Sequence, residues 1–318
     1  MHTTELAGLA AKSTHGTTKE IASVYLTENK HIMETISKYD TFLLDCDGVI
    51  WLGNTLIPGV VQTLALLRSM GKSILFVTNN STKSRGEYQK KFESLGLQAS
   101  VDEIFGSAYA SAYYIKHQLH FPANKKVYVC GMSGICKELD EQGIQYIGAQ
   151  EDNVGVANVG GLTSFNLDPD VGAVLFGLDL DFNYRKLSKA FTYLKSNPEC
   201  HFLATNSDLT YPVAGTVLPG CGALLSALST PLQREPVVLG KPHQTMMDVI
   251  VNKCNLDRSR TCMVGDRLDT DMEFGKRGGL GTLLVMTGVT SRADLSASTV
   301  VPDYVIDSFG LVGGEPHA

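Results

Sequence analysis

Short, nearly continuous apolar runs recur along this chain, and stretches of helical periodicity separate most of them. Phe42-Leu43-Leu44, Ile74-Leu75-Phe76-Val77 and the runs near 127–130, 171–178, 201–205, 236–240, 261–265 and 282–287 read as strands apolar on both sides. Such strands must be covered on both faces, and the intervening helices supply the cover. The pattern therefore predicts an α/β fold, with a Rossmann-like parallel-sheet core.

At 318 residues the chain is too long for one ordinary core. Residues 122–218 differ from their flanks, with loop-like Glu151–Asn153, Gly160-Gly161 and Asp168-Pro169 segments beside strand and helix signals of their own. They read as a smaller α/β domain inserted between residues 39–121 and 219–318, which form the core. Ile21, Val24, Tyr25, Ile32, Met33 and Ile36 predict a helix over 17–38, so that residues 1–38 form a helical extension. Gly53-Asn54 closes a short hairpin, Pro58 opens a helix to about Met70, and another helix runs from about Thr82 to Leu95.

Composition excludes several function classes. The net charge of −6, with no Lys/Arg block, argues against a nucleic-acid surface, and no apolar run is long enough to span a bilayer. Seven scattered cysteines without a Cys-x-x-Cys read as reduced thiols rather than disulfides. The first 40 residues contain no Arg and no signal-peptide core. The expected location is the cytoplasm, the nucleus being open to such a chain as well.

Ligands of an open parallel sheet bind beyond the carboxyl ends of its strands. Four polar segments each follow a predicted strand: Asp45-Cys46-Asp47-Gly48, Thr78-Asn79-Asn80-Ser81-Thr82, Gly240-Lys241-Pro242 and Gly265-Asp266-Arg267-Leu268-Asp269-Thr270-Asp271. All four are expected at one edge of the same sheet. On a strand, Asp45 and Asp47 would project to one side and Cys46 to the other.

Two carboxylates so close need either a cation between them or a division of labour in which one attacks and the other carries a proton. A carboxylate meeting a phosphate dianion at about 4 Å faces roughly 8 kcal/mol of repulsion at an effective dielectric near 20. Unopposed, that is about six powers of ten in rate. A divalent cation held by Asp45, Asp47 and Asp266, together with the Lys241 ammonium, would offset most of it. The donors are all oxygen, so Mg²⁺ is expected rather than zinc. Thr78 and Asn79, where a strand hands over to a helix, make a phosphate seat with the backbone N–H groups that follow. Asp45 is the obvious partner for Lys241, and Asp269 reads as a helix-start acid rather than a ligand.

Together these motifs resemble the haloacid dehalogenase superfamily of phosphatases. Leu44–Leu52, Phe76–Arg85 and Met263–Met272 are similar to the eukaryotic, above all fungal, 4-nitrophenylphosphatase/phosphoglycolate phosphatase family. The resemblance implies that Asp45 is a nucleophile forming an aspartyl-phosphate and that Asp47 is the general acid and base. It implies Mg²⁺ ligation by the carboxylates of Asp45 and Asp266 and the backbone carbonyl of Asp47. Asp271 would support the metal shell or Lys241 from behind, and Thr78, Asn79 and Asn80 would bind phosphoryl oxygens.

The inserted region matches the larger type of cap in that superfamily, and its loop Ala204–Pro212, with Asp208 and Tyr211, would contact the substrate. Relatives acting on pyridoxal phosphate carry a histidine at the position of Tyr211, so the resemblance favours small phosphoacids such as 2-phosphoglycolate. It also implies a homodimer formed through the cap. Other readings are a pyridoxal-phosphate or phosphoprotein phosphatase, a phosphotransferase or mutase, and a receiver-type switch phosphorylated on Asp45. Trp51 either lines the pocket mouth or packs under the hairpin, and Cys46 is either an oxidation-sensitive neighbour of the nucleophile or a buried thiol.

Overall fold

In a computed structural model, residues 23–154, 166–213 and 216–314 are described. The fold is α/β, and its two principal sheets are both parallel. The larger sheet has seven strands, ordered Val24–Tyr25, Tyr304–Ile306, Gly281–Val285, Thr261–Gly265, Thr41–Leu44, Ser73–Thr78 and Ile104–Gly106.

Its central strands alternate faces as the strand period requires. Phe42, Leu44, Ile74, Phe76 and Val264 pack with Val60, Leu64 and Leu67 of helix Val60–Ser69 and with Tyr88 and Phe92 of helix Arg85–Ser94. Leu43, Leu75, Val77 and Met263 pack on the other side, against Met246, Met247 and Ile250 of helix Gln244–Cys254.

The second sheet runs Val237–Val238, His201–Ala204, Val171–Phe176, Lys126–Cys130 and Tyr146–Gly148, also parallel throughout. Helices Tyr184–Ser196 and Cys221–Leu232 cover one face and helix Ser133–Glu141 the other. This is the inserted cap.

The carboxyl ends of the two sheets face each other. Thr205, just past a cap strand, donates its hydroxyl to Ser81 Oγ at 3.1 Å, and Asn206 Nδ2 donates to the Asn79 carbonyl at 2.8 Å. A Cβ on Gly177 would lie 2.9 Å from Ser81 Oγ, so the close approach depends on its having no side chain. Arg85 bonds Glu138 and Glu141 of the cap and stacks 3.8 Å from the centre of the Tyr109 ring.

Several expectations change. The helix expected over 17–38 is instead a strand, Val24–Tyr25, followed by helix Asn29–Ser37; residues 17–22 lie outside the described ones. Pairing with Tyr304–Ile306 satisfies the backbone of Val24 and Tyr25 and overrides their helical spacing. Ser84 caps its helix reciprocally with Glu87, so that helix starts at Arg85 rather than near Thr82. Helix Cys221–Leu232 and strand Val237–Val238 belong with the second sheet, although residues 219–318 were expected in the core. Strands Ile104–Gly106 and Tyr146–Gly148 escaped the sequence reading, being three residues each and flanked by few turn signals. The Gly160-Gly161 segment lies outside the described residues. No helix among them is long and apolar enough to cross a membrane.

Candidate active site

Three of the four polar segments leave carboxyl ends of the larger sheet: Asp45 after Thr41–Leu44, Asn79 after Ser73–Thr78 and Asp266 after Thr261–Gly265. The fourth departs from expectation. Lys241 follows Val237–Val238, the edge strand of the other sheet, and reaches the cluster from across the junction.

The lysine is buried, and its three ammonium protons meet three acceptors: Asp45 Oδ1 at 2.8 Å, Asp271 Oδ1 at 2.7 Å and the Val77 carbonyl at 2.8 Å. The two carboxylates push its pKa up and hold it charged. The other oxygen of Asp271 accepts the N–H groups of Asp266 and Arg267, both at 3.1 Å, so both oxygens of Asp271 are engaged within the protein.

Asp266 Oδ2 accepts the Val289 N–H at 2.6 Å. Glycines press on this carboxylate from two sides: a Cβ would lie 1.9 Å from Oδ2 at Gly288 and 2.7 Å from it at Gly48, whose φ of +89° also suits glycine.

Ligand oxygens of Asp45, Asp266 and Asp271 lie within 4.8 Å of one another. Burial, then the Asp271 charge, pushes the Asp266 carboxyl up to about 7. Burial also raises Asp45 well above the usual carboxylate range, against the pull of Lys241. With all three buried carboxyls ionised, one ammonium would leave two negative charges without a partner in the cluster. A divalent ion with oxygen ligands fits that balance.

Asp45 and Asp47 both line the cleft, but not through strand alternation. The strand ends at Leu44, and the Cys46 carbonyl collects the N–H groups of Ile50 and Trp51 in a tight turn. Asp47 sits on this turn, its pKa raised by burial. Cys46 is fully buried beside it, and burial pushes its thiol pKa far up, away from the reactive thiolate.

The remaining expected site residues divide. Thr78, Asn79, Asn80, Asp208 and Tyr211 all line the same cleft, and they differ in how far their polar groups are already engaged. Thr78 Oγ1 accepts the Asn80 N–H at 3.2 Å, and Asn80 Oδ1 accepts from both N–H and hydroxyl of Thr82. The Asn79 amide faces the protein, donating to Asp208 Oδ1 at 3.0 Å and to the Lys241 carbonyl at 3.0 Å and accepting the Lys241 N–H at 2.8 Å. Its side chain ties the cap loop and Lys241 to the larger sheet. Asp208 is likewise engaged by Asn79, while burial raises its pKa.

Sequence reading missed Arg267, a cleft-lining cation paired with Asp269 at 2.9 Å, although it sits inside a motif already singled out. It also missed Leu178 and Cys221, which come from the cap and carry no local signal.

Comparison with known proteins agrees with this architecture. Residues 42–145 match the model of haloacid dehalogenase-like hydrolases, and residues 238–311 match a second hydrolase model of the same kind. The 4-nitrophenylphosphatase of Schizosaccharomyces pombe is 46% identical over 287 residues, 89% of this chain and 96% of that protein. Phosphoglycolate phosphatase 2 of Arabidopsis thaliana is 46% identical over 283 residues, covering 88% of this chain and 94% of its own. The crystal structure of a Mycobacterium tuberculosis glycerol phosphate phosphatase in complex with magnesium superposes with a TM-score of 0.73 at 28% identity, over 88% of this chain and 79% of that one. The chain belongs to the haloacid dehalogenase-like hydrolases, in the 4-nitrophenylphosphatase/phosphoglycolate phosphatase family. It is a phosphoric monoester hydrolase acting on small phosphorylated molecules.

Proposed function

We propose that this phosphatase works by two successive displacements through Asp45 and prefers small phosphoacids of the 2-phosphoglycolate kind. One observation carries the reading: Asp45 is held by Lys241 at the cleft with Asp266 beside it and, once the carboxyls are ionised, two negative charges in excess.

In the first displacement the Asp45 carboxylate attacks phosphorus. The bond from phosphorus to the ester oxygen breaks, and that oxygen leaves with the electron pair and takes a proton from Asp47. In the second, Asp47 withdraws a proton from water as the water oxygen attacks phosphorus. The phosphorus–Asp45 bond breaks, releasing inorganic phosphate and restoring the Asp45 carboxylate. Thr78, Asn80 and the backbone N–H groups following strand Ser73–Thr78 would receive the phosphoryl oxygens. Lys241 aims Asp45 and offsets charge on the phosphoryl group.

Carboxylates of Asp45 and Asp266, with the Asp47 carbonyl, would hold Mg²⁺, whose charge would screen the phosphoryl oxygens from the attacking carboxylate. Asp271, its oxygens already used, supports this set rather than joining it. The all-oxygen donors and the magnesium complex of the mycobacterial relative support the choice of ion.

The substrate preference draws on the names of the relatives and on Tyr211, which lines the cleft. A panel of phosphorylated metabolites ranked by kcat/KM tests it. 2-Phosphoglycolate should stand above pyridoxal phosphate, and the opposite order refutes the reading of Tyr211. Acid-quench trapping with labelled substrate tests the covalent step, which predicts label on Asp45.

A further inference from the structure

The hairpin after Asp47 folds Trp51 back under the catalytic turn. Trp51 is fully buried, and its indole Nε1–H donates to Asp47 Oδ1 at 2.9 Å. The ring is fixed on several sides: Tyr88 stacks at 6.5 Å with an interplanar angle of 17°, Phe92 meets it edge-on at 4.9 Å, and Lys91 Nζ lies 3.9 Å from its centre. Its backbone closes the same turn, accepting the Gly48 N–H and donating to the Cys46 carbonyl. Indole nitrogen is a donor only, so the oxygen that it faces must be an acceptor. A protonated carboxyl bound this way keeps Oδ1 as its carbonyl oxygen, and the transferable proton resides on Oδ2.

We infer that Trp51 is a positioning residue for proton transfer: its indole N–H selects Oδ2 of Asp47 as the atom that gives the proton to the leaving oxygen and later receives one from water. This rests on the reading of Asp47 as acid and base given above. Trp51 does not line the cleft, so it acts only through Asp47.

The dependence on leaving group separates this role from packing. An alkyl phosphate expels a strongly basic alkoxide and needs the proton, whereas 4-nitrophenolate leaves readily without it. The parameter kcat/KM reads the steps up to formation of the phosphoenzyme, where this difference lies. Trp51→Phe keeps an aromatic ring and removes the N–H. Replacement of Trp51 by 3-benzothienylalanine keeps a bicyclic ring of nearly the same shape and puts sulfur where the N–H was.

Measured with 2-phosphoglycolate and 4-nitrophenyl phosphate, both variants should lose about tenfold or more in kcat/KM on the alkyl ester, a fraction of what general acid catalysis supplies. On the aryl ester both should stay within about threefold of the parent, as expected where the acid contributes little. Equal losses on the two substrates, or no loss on either, overturn the inference. Asp47→Asn in the same assay keeps the two readings apart. If it also spares the difference between substrates, the role of Asp47 falls. If it abolishes alkyl turnover selectively while both Trp51 variants do not, only the inference about Trp51 falls.

Discussion

The two sheets of this enzyme share a plan and diverge at their ends. Both are parallel, apolar on both faces and covered by helices, and their carboxyl edges meet. At the edge of the larger sheet the chain places Asp45, Thr78 and Asp266, polar side chains that line the cleft. At the edge of the smaller one, Lys241 apart, it places Gly177 and Thr205, residues small enough to let the other edge approach. The smaller sheet also buries charge: Lys186 and Asp179 pair at 2.6 Å, each almost fully buried. That pair balances itself, whereas the Asp45 cluster with its carboxyls ionised has two negative charges left over. A balanced buried pair serves structure, and an unbalanced one invites a cation or a substrate.

The contrast breaks most sharply at Asp45, the nucleophile of the proposed mechanism. Asp45→Asn should reduce phosphate release from 4-nitrophenyl phosphate by on the order of 10⁴-fold or more, as removal of a covalent nucleophile does. Retention of more than a hundredth of the activity would place the nucleophile elsewhere.

Across the junction the expected response is in stability. Asp179→Ala leaves the Lys186 ammonium buried without its carboxylate, which should cost about 3–5 kcal/mol in urea unfolding. Assayed well below the unfolding transition, kcat should stay within about threefold of the parent, because the pair lies outside the cleft. A large loss of kcat in a folded Asp179→Ala enzyme would erase the distinction between the two edges.

The leftover charge also has a pH signature. Asp266 is pushed up to about 7 in the folded chain from an ordinary 3.8, so the native state without metal binds a proton that the unfolded chain has released. Between those values the metal-free protein should lose stability as pH rises, and Mg²⁺ should remove that loss. Since the ion must displace this proton, its apparent affinity should drop by up to about tenfold per unit as pH falls below 7. Thermal unfolding and isothermal titration at pH 5.5, 6.5 and 7.5 check both signs.

The smallest effect is expected where the edges touch. Gly177→Ala puts a Cβ 2.6 Å from Ile135 Cδ1 and 2.9 Å from Ser81 Oγ. The crowding should cost about 1–3 kcal/mol of stability and raise KM severalfold by shifting the cap from the cleft. Unchanged KM would mean that the contact is looser than the spacing implies.

Much of this was legible along the chain because strands with no wet face announce themselves. Ser73–Thr78 and Thr261–Gly265 match their apolar runs, and Asp45, Asp47, Thr78 and Asp266 stand at or just beyond strand ends. Legibility failed where a distant partner decided the outcome. Val24 and Tyr25 have helical spacing but pair with Tyr304 and Val305. Lys241 follows an apolar run as expected, yet nothing local says which sheet that run joins. Nothing local ties the Asn79 amide to Asp208 and Lys241, and Trp51 has no visible tie to Asp47 until the hairpin turns back.

The sequence by itself determined the class of fold and the chemical inventory, because apolar periodicity and residue type are local properties of the chain. Only the tertiary structure decided which charges balance, which amides are already engaged and which oxygen of Asp47 is occupied. Those depend on groups that stand apart along the chain, 196 residues for Lys241 and Asp45 and four across the turn for Trp51 and Asp47, being brought within about 3 Å, the range over which a hydrogen bond acts.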